Sequence, residues 1–289
     1  MDWQRLLPAW ARRTATRAGA LPPPAVPAAL WQSTVALYPF LTRLTQAEDA
    51  QLQLLVAYFL QRKEFSGAHG LEVTDAMAVA IAAQACVLLL YWGEPAHALR
   101  WYDDFVGIVV QPDDVIAHRK VVDGAGVVHH YNEELMGEAM DGGPIMLSWT
   151  AVQPGHALLN AHSNVVIHEF AHKLDLRDGS ANGCPPLPAG FMGQHSASAT
   201  RKAWSAIWSP AYQQFREQVI CHERFGQPAP WLDAYGATDP AEFFAVACEA
   251  YWLDRGRMGQ ELPSVALALD GFFQRPPESL TAFPPLSQR

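Results

Sequence analysis

The feature that most constrains this chain is the run from Ala76 to Trp92, apolar at every position but Gln84. A helix that is apolar all round has no face to offer water, so it must be wrapped by other elements or lie in a bilayer. At about 17 residues the run sits at the lower limit for a membrane span, and it is rich in alanine. We therefore expect a helix buried in a protein core. A chain of 289 residues, 50% of them hydrophobic, has the material to cover it. With only 17% charged residues the composition also excludes a largely disordered protein.

The flanking sequence predicts what does the covering. Ala47 to Phe65 carries apolar residues at three- and four-residue intervals, and Thr74-Asp75 reads as the cap of the next helix. The pattern then changes. Val106 to Val110 is a β-branched run, Lys120 to Tyr131 reads as a hairpin around Asp123-Gly124, and Pro144 to Trp149 reads as one more short strand. Helical periodicity returns from Asn164 to Arg177, closed by Asp178-Gly179. A Gly-, Pro- and Ser-rich loop follows, and then helices near 200–223, 239–254 and 263–274. The expected class is α+β, with helices flanking a small sheet that is mixed or antiparallel. By residue, we expect a Pro-rich arm at 1–28, a single domain at 29–275 and a flexible tail at 276–289. Within the domain the helical part is 29–92, the sheet about 106–149 and the active-site helices 164–274.

Formal net charge is −9, from 20 basic and 29 acidic residues. Phosphate backbones need a clustered basic surface, so direct nucleic-acid binding is not expected. Only four of the basic residues are Lys, which also speaks against a polybasic membrane patch. Cys86, Cys184, Cys221 and Cys248 are widely spaced and form no C-x-x-C pair, as in proteins of a reducing cytosol. The first 19 residues carry arginines without the apolar core of a signal peptide. A cytoplasmic location is the expectation.

The chemistry sits in Asn164-Val-Val-Ile-His168-Glu169-Phe-Ala-His172-Lys-Leu-Asp175, which contains H-E-x-x-H. Residues four apart share one helical face, so His168 and His172 can both present imidazole nitrogens to one metal ion. Glu169, one step round, is placed to accept a proton from a metal-activated water. Val166, Phe170 and Leu174 form an apolar stripe that would seat the same helix on the core. Chance alone puts the bare motif in roughly one such sequence in fifty, so a third ligand has to be sought.

Six residues after His172, where a third His stands in one H-E-x-x-H class, this chain has Asp178, and the glycine expected between is Asp175. The other solution is a distant Glu on another helix, and the segment Asp233 to Glu249 is the candidate region. Asp239 reads as an N-cap, Pro240 as the first helical residue and Glu242 as N3, where it could close a capping box or point at a metal. Glu249 lies two turns further along the same face and is an equal rival by spacing. Tyr235, in the preceding loop, could bring a phenol to an oxyanion or simply be a half-buried loop residue.

These segments resemble a known family. His168-Glu-Phe-Ala-His-Lys-Leu-Asp175 with Asp178-Gly, and Asp233-Ala-Tyr-Gly-Ala-Thr-Asp-Pro-Ala-Glu-Phe-Phe-Ala-Val246, are similar to the Mlc titration factor A family of bacterial zinc metallopeptidases. Leu60 to Phe65, Gly70 to Val73, Ala82 to Cys86 and Gly143 to Trp149 extend the likeness over roughly residues 30 to 275. The resemblance implies a zincin-like core similar to that of anthrax lethal factor. It implies one zinc per chain on His168, His172 and Glu242, which sets Glu242 ahead of Glu249. It implies Glu169 as general base and Tyr235 as oxyanion donor, and it gives Asp175 as a carboxylate orienting a ligand. The N-terminal arm is longer and more Pro-rich than the family leads one to expect, and the C-terminal tail is short.

The function so implied is hydrolysis of peptide bonds by an H-E-x-x-H-plus-Glu (gluzincin-type) zinc peptidase acting on peptide or protein substrates, with endo- and aminopeptidase action both open. A relative in the family binds a transcriptional repressor of glucose uptake, so a repressor is a partner to test for here. The alternative is a non-catalytic zinc-containing protein that sequesters a regulator, but such a protein has little use for Glu169. The segment Ile145 to Trp149 is expected to offer an edge on which an extended substrate pairs.

Overall fold

The computed structural model describes residues 23–113, 115–122, 128–135, 137–139, 143–153 and 163–276. Most of the Pro-rich arm (1–22), the hairpin turn at 123–127 and the tail at 277–289 lie outside the described residues.

Helix α1 (Ala28–Leu37) leads into α2 (Gln46–Arg62), which starts on a capping box: Thr45 accepts from the Glu48 N–H, and the Glu48 carboxylate accepts from the Thr45 N–H. The apolar run becomes α3 (Asp75–Val87), capped by Thr74, and every residue from Met77 to Val87 is buried. Gln84, its one polar residue, is satisfied on both sides of its amide. Its Nε2 donates to Ala80 O at 3.0 Å, and its Oε1 accepts from Asn164 Nδ2 at 2.7 Å. The interruption in the apolar run therefore ties the buried helix to the start of the H-E-x-x-H helix. Among the described residues no helix is long and apolar enough to cross a membrane.

Among the described residues the main sheet has four strands, in the order β1 (Glu64–Gly67), β2 (Gly107–Gln111), β6 (Ile145–Ser148) and β5 (Gly137–Ala139). Strands β1, β2 and β6 run parallel, and the short β5 pairs antiparallel with β6. The sheet is thus mixed. Strands β3 (Val115–Val122) and β4 (Val128–Leu135) form the expected hairpin as a separate two-stranded ribbon, with Val122 opposite Val128.

Two expectations are corrected here. The helical reading to Phe65 overran: α2 stops at Arg62, and Glu-Phe-Ser-Gly becomes β1 because the Glu64 N–H finds Val106 O and the Phe65 ring goes inward opposite Ile108. The segment Ile145–Trp149 is no edge either. Its strand β6 is bonded to β2 on one side and β5 on the other, so its backbone groups are already taken.

The second half is helical: α4 (Val165–Asp175), α5 (Ala197–Phe225), α6 (Pro240–Leu253), α7 (Arg255–Glu261) and α8 (Pro263–Phe272). The sequence did not predict α7, whose two glycines lower helix propensity. It forms because Asp254 accepts from the Arg257 N–H at 3.0 Å and Met258 is fully buried. The apolar stripe of α4 packs on the first half of the chain. Phe170 meets Tyr102, Phe59 and Phe105 with ring centroids at 4.9, 5.7 and 5.8 Å. That docking holds α4 still while its other face carries the histidines.

Candidate metal centre

Helix α4 begins at Asn164, whose side chain accepts from the Ile167 N–H at 2.9 Å and caps the first turn. With Val166, Phe170 and Leu174 fully buried, the geometry of the helix leaves His168 and His172 on the opposite, partly open face. Their Nε2 atoms lie 3.1 Å apart. Helix α6 begins at Asp239, whose carboxylate accepts from the N–H groups of Ala241 and Glu242. With the cap supplied by Asp239, the Glu242 side chain is free of capping duty and reaches across to α4. Its Oε2 is 3.0 Å from His168 Nε2 and 3.3 Å from His172 Nε2.

These three atoms fit a metal. Two ligand atoms held 2.0–2.1 Å from a zinc ion at the tetrahedral angle are about 3.3 Å apart, close to the three separations found. The donor chemistry agrees, since three lone pairs pointing at one spot repel unless a proton or a cation lies between them. Among the described residues this is the one group of His, Cys, Asp or Glu side chains that converges in this way. Asp178 is not part of it and faces Arg201 at 3.4 Å.

Glu249, the rival by spacing, sits behind the site. Its Oε1 is 2.7 Å from His168 Nδ1, and its Oε2 accepts from the Asn164 N–H. An ionised carboxylate there holds the hydrogen on Nδ1 and leaves the Nε2 lone pair aimed at the metal position. The seven-residue spacing thus puts one carboxylate in front of His168 and the other behind it. Burial opposes a charge on His168, but Glu242 and Glu249 outweigh burial and hold its pKa well above the usual histidine value. Burial would raise Glu242, yet the adjoining imidazoles of His168 and His172 hold it down at about 2.

Glu169 is buried next to the pair, and burial raises its pKa despite both imidazoles. Tyr235 lies in the short turn Ala234–Ala237, 43% exposed, with its ring centroid 6.0 Å from that of His168. Asp175 stands at the end of α4, and its hydrogen bond runs to the Gly183 N–H at 2.7 Å rather than to a histidine. The sequence reading passed over Lys173, on the same helix and fully buried. Its Nζ donates to Gly143 O at 3.1 Å and pairs with Asp104 at 3.4 Å. A charged residue inside an amphipathic helix is ordinarily solvated, so nothing local marked it.

A family model described as glucose-regulated metallo-peptidase M90 matches residues 9–274. The chain belongs to this family. Relatives of this M90-family chain include three proteins named Mlc titration factor A, from Escherichia coli O1:K1, Escherichia coli K12 and Shigella sonnei. Each is 30% identical over 248 residues, covering 86% of both chains. The resemblance carried by the motifs therefore holds at the level of the family, and the metallopeptidase kind comes with it. The candidate metal position in this M90-family chain lies where the two longest motif segments meet.

Proposed function

We propose that this chain is a zinc-dependent peptidase of the gluzincin type with a zincin-like core. The observation that carries the reading is the convergence of His168, His172 and Glu242 at tetrahedral spacing, with buried Glu169 beside them. Zinc bound there would act as a Lewis acid and bring the pKa of a water down towards 7. His168 is kept in the ligating tautomer by Glu249. Glu169 accepts the proton of the attacking water and passes it to the leaving amine, a role suited to a carboxylate whose pKa is raised by burial. Tyr235 donates its phenol O–H to the developing oxyanion. With β6 paired on both sides, the strand that offers backbone to an extended peptide is β5, the edge strand that packs against α4. The free cysteines fit a cytoplasmic site of action. The relatives' name supports a further role as a titrant of an Mlc-like repressor, for which co-purification is the direct check.

The test is bound zinc per chain together with hydrolysis of a mixed peptide library, for wild type, Glu169→Gln and Glu242→Ala. We expect about one zinc in the first two, turnover in wild type alone, and loss of metal in Glu242→Ala. Zinc binding without any turnover would favour the sequestering protein over the enzyme. Retention of zinc by Glu242→Ala would refute the ligand set.

A further inference from the structure

The helices that carry the candidate ligands pack on each other, and at the C-terminal end of α4 a single peptide unit, Gly183, stands between Asp175 and the start of α6. Its N–H is held by the buried Asp175 carboxylate at the end of α4, three residues after His172. Its C=O accepts from the indole N–H of buried Trp204 on α5 at 2.8 Å. Its φ of +77° is left-handed, a region that favours glycine. Its α-carbon faces Pro240, two residues before Glu242. A Cβ at Gly183 would come within 2.3 Å of Pro240 O and 2.9 Å of Pro240 C.

We propose that Gly183 is a positioning residue for the metal centre: a strut, anchored by Asp175 and Trp204, that sets how far the first turn of α6 stands from α4. Only a hydrogen fits between the strut and Pro240. The inference rests on the metal reading above and adds to it the residues that set the spacing of the two helices. Real Cβ contacts do not fall below 3.0 Å, so an added methyl must move one side by at least 3.0 − 2.3, about 0.7 Å. The strut is tied to α4 and α5, and Pro240 begins the helix that carries Glu242. A displacement of that size exceeds the roughly 0.2–0.5 Å within which metal ligands must be held.

Gly179 provides the matched comparison. It also follows α4, its φ is +94°, and no atom lies within 4 Å of a Cβ built there. Gly179→Ala imposes the left-handed strain without the collision. The experiment is titration of the metal-free full chain with Co²⁺, reading affinity by chelator competition and coordination by the visible d–d absorption. We expect Gly183→Ala to weaken Co²⁺ at least tenfold and to change the spectrum, with Gly179→Ala within twofold of wild type and spectrally unchanged. Should Gly183→Ala fail to fold, Asp175→Ala frees the strut without adding atoms and is expected to weaken Co²⁺ about tenfold. Asp175→Asn, which keeps an acceptor for the Gly183 N–H, is expected to restore the affinity.

Wild-type affinity and spectrum in both Gly183→Ala and Asp175→Ala would overturn the strut, as would an equal loss in Gly179→Ala. If wild type itself takes up no Co²⁺, the metal reading falls and the strut falls with it. The two failures are therefore distinct.

Discussion

Replacing Glu249 by Gln tests the arrangement behind His168 with almost no change in shape. In the native site both carboxylate oxygens accept: one from His168 Nδ1 at 2.7 Å, the other from the Asn164 N–H. The residue is only 3% exposed, so water cannot take over either role. A glutamine offers one acceptor and one donor. If its oxygen faces His168, its NH₂ meets the Asn164 N–H, and a buried donor is left unsatisfied at a cost of about 1–3 kcal/mol. If its NH₂ faces His168, Nδ1 must accept, the hydrogen moves to Nε2, and the lone pair aimed at the metal is lost. Even the first orientation removes the negative charge that makes His168 a stronger ligand, a change of the kind that costs 10–100-fold in metal affinity, or about 1.4–2.7 kcal/mol. The assay is zinc affinity by competition with a chromophoric chelator, paired with thermal melting of the metal-free protein. We expect affinity to fall at least tenfold, or the metal-free protein to lose at least 1 kcal/mol. Wild-type values of both quantities would refute the reasoning.

Three further outcomes follow from the same contacts. Asn164→Ala removes the cap on α4 and the bond to Gln84, and should cost about 1–3 kcal/mol by calorimetry of the metal-free protein; a loss under 0.5 kcal/mol would contradict the cap as drawn. Phe170→Ala opens a cavity among Phe59, Tyr102 and Phe105 and should cost about 3–5 kcal/mol in denaturant unfolding, with less than 1 kcal/mol refuting the claim that this ring seats the helix. Zinc at 100 times its dissociation constant should stabilise the chain by about 2.7 kcal/mol, roughly 4–5 °C in Tm for a chain of 289 residues. A chelator should reverse that shift and His172→Ala should abolish it; a wild-type Tm indifferent to zinc would count against the site.

Most of what was legible in the sequence was local. The pair His168 and His172 shares a face because of helix pitch alone, and the stripe Val166, Phe170 and Leu174 marks the opposite face for burial by the same rule. Thr74 and Asp239 announce their helices because capping is a matter of three or four consecutive residues. The parallel sheet was harder to see. Strands β1, β2 and β6 find their partners some 40 residues away, and a four-residue strand such as Glu-Phe-Ser-Gly has no periodicity to recognise. The interior position of β6 likewise depends on β5, a three-residue strand without a signal of its own.

The candidate site divides in the same way. The chain by itself determined that two imidazoles and a carboxylate, Glu169, would cluster on one helix, and that Glu242 and Glu249 would share the face of another. Likeness to a family singled out Glu242. Which carboxylate reaches Nε2 and which lies behind Nδ1 was decided by the docking of α6 against α4, because a seven-residue spacing is equivalent for both until a partner helix breaks the symmetry. The tertiary structure alone placed Gly183 between Asp175 and Pro240. Excluded volume acts between atoms that are neighbours in space, and Pro240 lies 57 residues along the chain from Gly183.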